Sequence, residues 1–277
     1  PGARAQQAAI ATFEREIGRT LAINNLYMSW KGPMPSAARW DLARGTIPMI
    51  SWAGTRADQV AAGTDDGWIR AEARRLKALH APVLLRWFFE MNRTGYRPEI
   101  GSPATFVAAW RRMHRIFQRA GAVNVRWVWC PSTAAFAQGT AQAYYPGNAY
   151  VDWICADGYN WGPGLPGAGW RTFSEIFRTF YLWGLPRRKP MLIGEFGTVE
   201  GPPGAKAAWF AQAEDALRTQ FPQIRAVVYF ESNHENFGRY FDWRATSSRS
   251  SLAAFRALAL DPYFRAAPPH LGRQPSS

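Results

Sequence analysis

A chain of 277 residues that is 47% hydrophobic and 19% charged can bury a large core, which excludes a disordered protein and suits one α/β barrel or two smaller domains. No apolar run reaches the length of a membrane span. The formal net charge of +13 is nearly all arginine, spread along helical stretches such as "RAEARRLK" and "WRRMHRIFQR". It describes a solvated helix face rather than a nucleic-acid surface, since no basic block or nucleic-acid motif occurs.

Residues 1–20 are expected to form a helix. Short apolar runs then recur: "LAINNLYMSW" from 21, "TIPMISWAG" from 46, "APVLLRWFFEMN" from 81, "NVRWVWCPS" from 124, "VDWICADGYNW" from 151, "PMLIGEFG" from 190 and "IRAVVYFES" from 224. Their mean step of about 34 residues fits one strand, one helix and two loops. The intervening stretches have helical period. In "SPATFVAAWRRMHRIFQRAG", Phe106, Trp110, Met113 and Phe117 share one face, with Ser102 as N-cap, Pro103 at the first position and Gly121 at the C-terminal end. Phe173, Ile176, Phe177 and Phe180 repeat the pattern, as do Phe210, Ala213 and Leu217. Strands apolar on both faces, alternating with amphipathic helices, predict a parallel sheet covered by helices. A doubly wound open sheet would want a glycine-rich phosphate loop after its first strand, and none is present, so a (β/α)8 TIM barrel is expected. Residues 1–266 are read as one catalytic domain and 267–277 as a flexible tail. Cys130 and Cys155 are too few for a disulfide framework and lack metal spacing, so buried free thiols are expected and no metal.

Two carboxylates stand where they are least at home. "RWFFEMN" ends an apolar strand with Glu90, and "PMLIGEFG" ends another with Glu195. Barrel active sites lie at the carboxyl ends of strands. The two glutamates are 105 residues apart, close to three βα steps, which would turn both toward one cleft. Paired carboxylates across a cleft are the apparatus of glycoside hydrolysis. The plain alternative is an ion pair for each, such as Glu90 with Arg86. Aromatics at the same strand ends favour the first reading. Trp30, Trp52, Trp129, Tyr159, Trp161 and Phe196 could offer flat faces to the C–H faces of sugars, although some must fill the core. "ESNHENFG", with His234, reads as a substrate-contact loop rather than a metal site.

Together "RWFFEMN", "VDWICADGYNW" and "PMLIGEFG" resemble glycoside hydrolase family 26, the β-mannanase-like barrels of clan A. "FEREIGRTLAINNLYMSWKGPMP" with "GTIPMISW", and "AYYPGNAYVDWI", extend the similarity over roughly residues 1–245. The resemblance implies Glu90 as general acid/base, Glu195 as nucleophile, Tyr159 as hydrogen-bond donor to that nucleophile, and Asn92 and Trp161 along the sugar site. It also aligns the first apolar run with the family's second strand, so by the resemblance the barrel's first strand is expected to be missing from this sequence. Family members carry His immediately before the acid/base and Gly in place of Arg93; here Phe89 and Arg93 stand instead. Arg86, Phe89 and His234 complete the expected substrate-binding set.

The expected activity is retaining hydrolysis of a β-linked polysaccharide, most directly β-1,4-mannan, with carboxyls about 5–5.5 Å apart and Glu90 protonated at the start by virtue of apolar surroundings. Another β-glycan, or a carbohydrate-binding relative without turnover, are the alternatives. No cofactor, nucleic acid or membrane span is expected. The anticipated partner is a poly- or oligosaccharide, the state a monomer, and the location secreted or cell-surface.

Overall fold

A computed structural model describes residues 3–265. Seven strands form one sheet in chain order: β1 (Ile23–Ser29), β2 (Ile47–Ala53), β3 (Val83–Trp87), β4 (Val125–Trp129), β5 (Trp153–Asn160), β6 (Met191–Thr198) and β7 (Ile224–Tyr229). All seven arise from the seven apolar runs, and β1 and β7 stand at the two ends of the order. The strands β1 to β5 pair in parallel. This is the helix-alternating barrel class the period predicts. The expected tail at 267–277 lies outside the described residues.

Helices fill the intervals: α1 (Ala3–Ile17), α2 (Met34–Leu42), α3 (Ala57–Ala62), α4 (Asp66–Lys77), α5 (Arg97–Ile100), α6 (Pro103–Arg119), α7 (Thr133–Ala137), α8 (Phe173–Gly184), α9 (Ala205–Thr219) and α10 (Arg249–Leu260). Helix α1 is the helix expected at the start of the chain. In α6 the Ser102 hydroxyl accepts from the Thr105 N–H at 3.1 Å, Pro103 opens the first turn and Gly121 turns left-handed (φ +68°) just past the end. Phe106, Trp110, Met113 and Phe117 are all buried, while Arg115 and Arg119 face solvent.

Two compact units make up the chain. One comprises Ile23–Asp157 and Thr179–Gly194; the other takes the chain before Ile23, Gly158–Arg178 and the chain from Glu195 on. The first holds β1 to β4 with α2 to α7. The second holds α1, α9, α10, β7 and a short hairpin, β8 (Asn233–Asn236) with β9 (Arg239–Asp242), which the apolar pattern did not show. Its residues are mostly polar and its strands only four residues long.

The cysteines depart from expectation. Cys130 follows β4 and Cys155 lies in β5, one step beyond the paired Trp129 and Ile154. That register sets their Cα atoms 4.3 Å apart, and the two sulfurs form a disulfide. Both are fully buried, as expected, but they are bonded rather than free. Denaturing the protein in an alkylating reagent without reductant should label no thiol, and prior reduction should add two labels by mass. Two labels without reduction would show the pair to be unbonded.

Candidate active site

In the first unit, Glu90 sits beyond the end of β3. The run of apolar residues continues past Trp87, but the backbone does not stay extended: Phe88 (φ +48°) and Glu90 (φ +51°) are both left-handed. Side chains rarely take that conformation, and it persists only where the surroundings over-determine it. Here two hydrogen bonds do so. The Phe88 N–H donates to the Trp52 carbonyl at 3.0 Å, and the Glu90 N–H donates to the Cys130 carbonyl at 2.7 Å. Glu90 is buried to 8% exposure, and its Oε2 accepts from Arg93 Nη1 at 2.8 Å. Arg93, the residue that replaces the family's glycine, is half exposed.

Arg86 is not a substrate contact. It is fully buried, and Nη1 reaches both carboxyl oxygens of Asp157 at 2.8 and 2.7 Å while Nε donates to Ser51 Oγ at 2.8 Å. The Phe89 ring lies over the Arg86 guanidinium at 4.7 Å and meets Tyr27 and Tyr96 edge-on. Thus the aromatic standing in for the family's histidine caps a buried cation. Asn92 clamps Ser132 with both ends of its amide, Nδ2 to Oγ at 2.8 Å and Oδ1 from N–H at 2.9 Å.

Three of the tryptophans proposed as sugar platforms are core. Trp52 and Trp129 are fully buried and Trp30 is 6% exposed, so no ring face is open. Trp30 stacks on Trp52 at 4.0 Å, whose indole N–H donates to the Trp30 carbonyl; Trp129 packs on Phe136, Tyr145 and Trp183. These large aromatics at strand ends pack on one another or on helix residues.

In the second unit, Glu195 lies on β6, buried to 6% exposure. Tyr159, on β5, donates its hydroxyl to Glu195 Oε2 at 2.5 Å, the bond expected from the resemblance. Phe196 points the other way along β6. At 1% exposure, it packs on Phe173, Trp209 and Tyr229, so it too is core rather than a sugar contact. Trp161 is partly exposed, its ring 5.6 Å from Tyr159 and edge-on to Trp243 at 4.8 Å. His234, on β8, is partly buried beside Phe230, with Nδ1 3.5 Å from Ser232 Oγ. Glu231, in the same loop, accepts from the Ala245 N–H at 2.7 Å and from Thr246 Oγ1 at 3.2 Å; burial raises its pKa. It is a brace for the following loop.

Trp243 and Lys206 were not anticipated. Lys206, fully buried, donates to the carbonyls of Asp242 (3.3 Å) and Arg244 (2.6 Å) and to Ser247 Oγ (2.9 Å). It thereby holds the backbone on both sides of Trp243, whose N–H donates to the Ser232 carbonyl and whose own carbonyl accepts from the Tyr229 hydroxyl. The Trp243 ring in turn packs on Tyr159 at 4.9 Å. Burial lowers the Lys206 pKa to about 8, against the opposing pull of Glu200, Asp242 and Glu231. Because the unfolded chain keeps this proton up to about pH 10.4, it binds more protons than the folded state in between, and the lysine's contribution to stability rises with pH across that window. Wild type should therefore gain about 2–3 kcal/mol relative to Lys206→Met between pH 7 and 10 in denaturant titrations. A pH-independent difference would place the lysine's pKa near its ordinary value.

Among the described residues, Cys130, Cys155 and Asp157 are a trio of metal-ligand type within reach of one another, but the disulfide consumes both sulfurs. Asp157 itself had a signal in the sequence: on β5 it shares a face with Tyr159, two residues on.

Comparison with known proteins bears on the family and the fold. The family model for glycosyl hydrolase family 26 matches residues 65–213. Endoglucanase H of Acetivibrio thermocellus is 32% identical over 268 residues, an alignment that covers 92% of this chain and 29% of that protein's length. Among solved structures, BoMan26A, a GH26 β-mannanase from Bacteroides ovatus, matches with a TM-score of 0.63 at 16% identity, over 87% of this chain and 80% of its own. GH26C from Muricauda sp. MAR_2010_75 gives 0.65 at 12%, over 90% and 80%. At such identities the structures speak for the fold. With more than half of the chain inside the family model, the kinship suggested by short motifs becomes membership: the chain belongs to glycosyl hydrolase family 26.

Proposed function

We propose that the chain is a retaining glycoside hydrolase of a β-linked polysaccharide. The observation that carries this reading is the Tyr159 hydroxyl held at 2.5 Å on Glu195 in a buried, aromatic-flanked setting, which orients one carboxylate oxygen and leaves the group aimed by a fixed donor. Glu195 attacks the anomeric carbon while Glu90 protonates the departing oxygen; water, deprotonated by Glu90, then releases the sugar from Glu195. Arg93, ion-paired to Glu90, assists the second half-reaction, where Glu90 must be ionised. Trp161, Phe89, Asn92 and His234 remain the proposed substrate neighbours.

A β-glucan is favoured as substrate. The relative with the greater identity is named an endoglucanase, and Phe89 replaces the histidine that β-mannanase-like members place before the acid/base. β-1,4-Mannan is the second reading, supported by the fold shared with BoMan26A. The disulfide favours an oxidising, extracytoplasmic location. The test is incubation with mixed-linkage glucan, cellulose, xylan and mannan, with the anomer formed first followed by proton NMR. Cleavage of a β-glucan with β-anomer first is expected. An α-anomer first would overturn retention, and binding without cleavage would leave a carbohydrate-binding protein.

A further inference from the structure

The hairpin that follows β7 carries an oddity. Strands β8 and β9 pair with His234 opposite Phe241, Glu235 opposite Tyr240 and Asn236 opposite Arg239, so Phe237 and Gly238 form a two-residue turn. Both are left-handed, at φ +52° and +67°. Such a turn strongly prefers Asn-Gly, and a phenylalanine in its first position pays backbone strain. Packing does not repay it, because Phe237 remains 62% exposed.

What Phe237 does meet is Trp161, with ring centroids 5.5 Å apart and planes at 64°. Trp161 is itself fixed from below, edge-on to Phe241 at 5.2 Å and to Trp243 at 4.8 Å. Its other neighbour is Tyr159, the residue bonded to Glu195. A row of rings therefore runs from the carboxylate to the hairpin tip within one unit. Its outer end is open at the exposed Phe237, and the register sets the polar side chains of Asn236 and the exposed Arg239 on the same hairpin face as Phe241. A flat apolar face flanked by hydrogen-bonding groups is the chemistry that receives a pyranose ring, whose C–H face is apolar and whose rim is hydroxylated.

We infer that Phe237, with Trp161, forms an outlying sugar subsite that holds a pyranose unit of the glycan beyond the one at Glu195. This rests on the glycoside hydrolase reading and deepens it: the hairpin tip would set how long a chain the enzyme prefers. A strained aromatic at a turn is then explained by ligand contact rather than by folding.

The deciding variant is Phe237→Asn, which creates the preferred Asn-Gly turn and should keep or raise Tm while removing the ring. On the β-glycan that wild type cleaves, kcat/KM for oligosaccharides of five or six units should fall about tenfold, and turnover of the shortest cleavable oligosaccharide should hold. Phe237→Tyr should restore the long-chain preference. Affinity electrophoresis in gels containing the polysaccharide should show the same loss of retardation in Phe237→Asn without reference to turnover. An unchanged length dependence, or an equal loss on short and long chains, would overturn the inference while leaving the hydrolase reading intact. A wild-type protein that neither cleaves nor is retarded by any β-glycan would overturn both.

Discussion

Replacing Glu195 by alanine should lower turnover of the cleaved β-glycan by on the order of 10⁴-fold, since the group lost forms the covalent bond and residues of such a unit are not replaced by their neighbours. The variant should still fold, because alanine removes a buried carboxylate together with its need for a partner, and Tyr159 can turn its hydroxyl to water. Azide should then restore part of the rate and release the α-glycosyl azide, a small anion entering the space the carboxylate vacates. The companion substitution separates the roles. Glu90→Ala should slow substrates with poor leaving groups far more than those with good ones, because only the poor ones need the proton. If azide rescues Glu90→Ala with the α-glycosyl azide and not Glu195→Ala, the assignments are reversed; if neither variant loses activity, the mechanism fails.

The largest expected loss of stability comes from Arg86→Met. Its guanidinium and the Asp157 carboxylate are both wholly shielded from solvent, and the neighbourhood has no slack. A methyl group on Gly194 would stand 2.7 Å from Arg86 Nη1 and from Asp157 Oδ1, and 2.6 Å from Cys155 Sγ. Removing one member of a buried ion pair strands the other charge, and about 3–5 kcal/mol of destabilisation follows. The double variant Arg86→Met, Asp157→Leu should recover much of that loss, because an apolar pair needs no mutual neutralisation. Chemical denaturation of the three proteins tests this directly. Equal destabilisation of the single and double variants would mean that shape, not charge, is what the pair supplies.

Much of the scaffold was legible because burial on both faces writes itself into a strand as an unbroken apolar run, and all seven runs became strands. The caps of α6 were legible for the same reason: Ser102, Pro103 and Gly121 each solve a local problem that needs no knowledge of the fold. What composition could not tell was which way a ring faces. Trp52, Trp129 and Trp161 sit at equivalent places in the pattern, yet only the last is open, because depth depends on which neighbours cover each ring. Partners were hidden for a related reason. Arg86 reads as a neighbour of Glu90 along the chain, whereas its bonded carboxylate is 71 residues away. The disulfide depended on strand register, and the Phe237 hairpin is too short and polar to leave a period. The unusual backbone at Phe88 and Glu90 left no trace in residue type, since neither is glycine.

That backbone has a bearing on protein engineering. The aim of the Glu90 side chain is set less by the heptapeptide that contains it than by two carbonyls outside it, that of Trp52 on β2 and that of Cys130 just past β4. The segment is consequently not a portable cassette. Spliced into another barrel, it would relax toward ordinary extended backbone unless the recipient offered acceptors at both flanking positions. Swapping the two flanking strands along with it is the smallest transplant that carries its geometry.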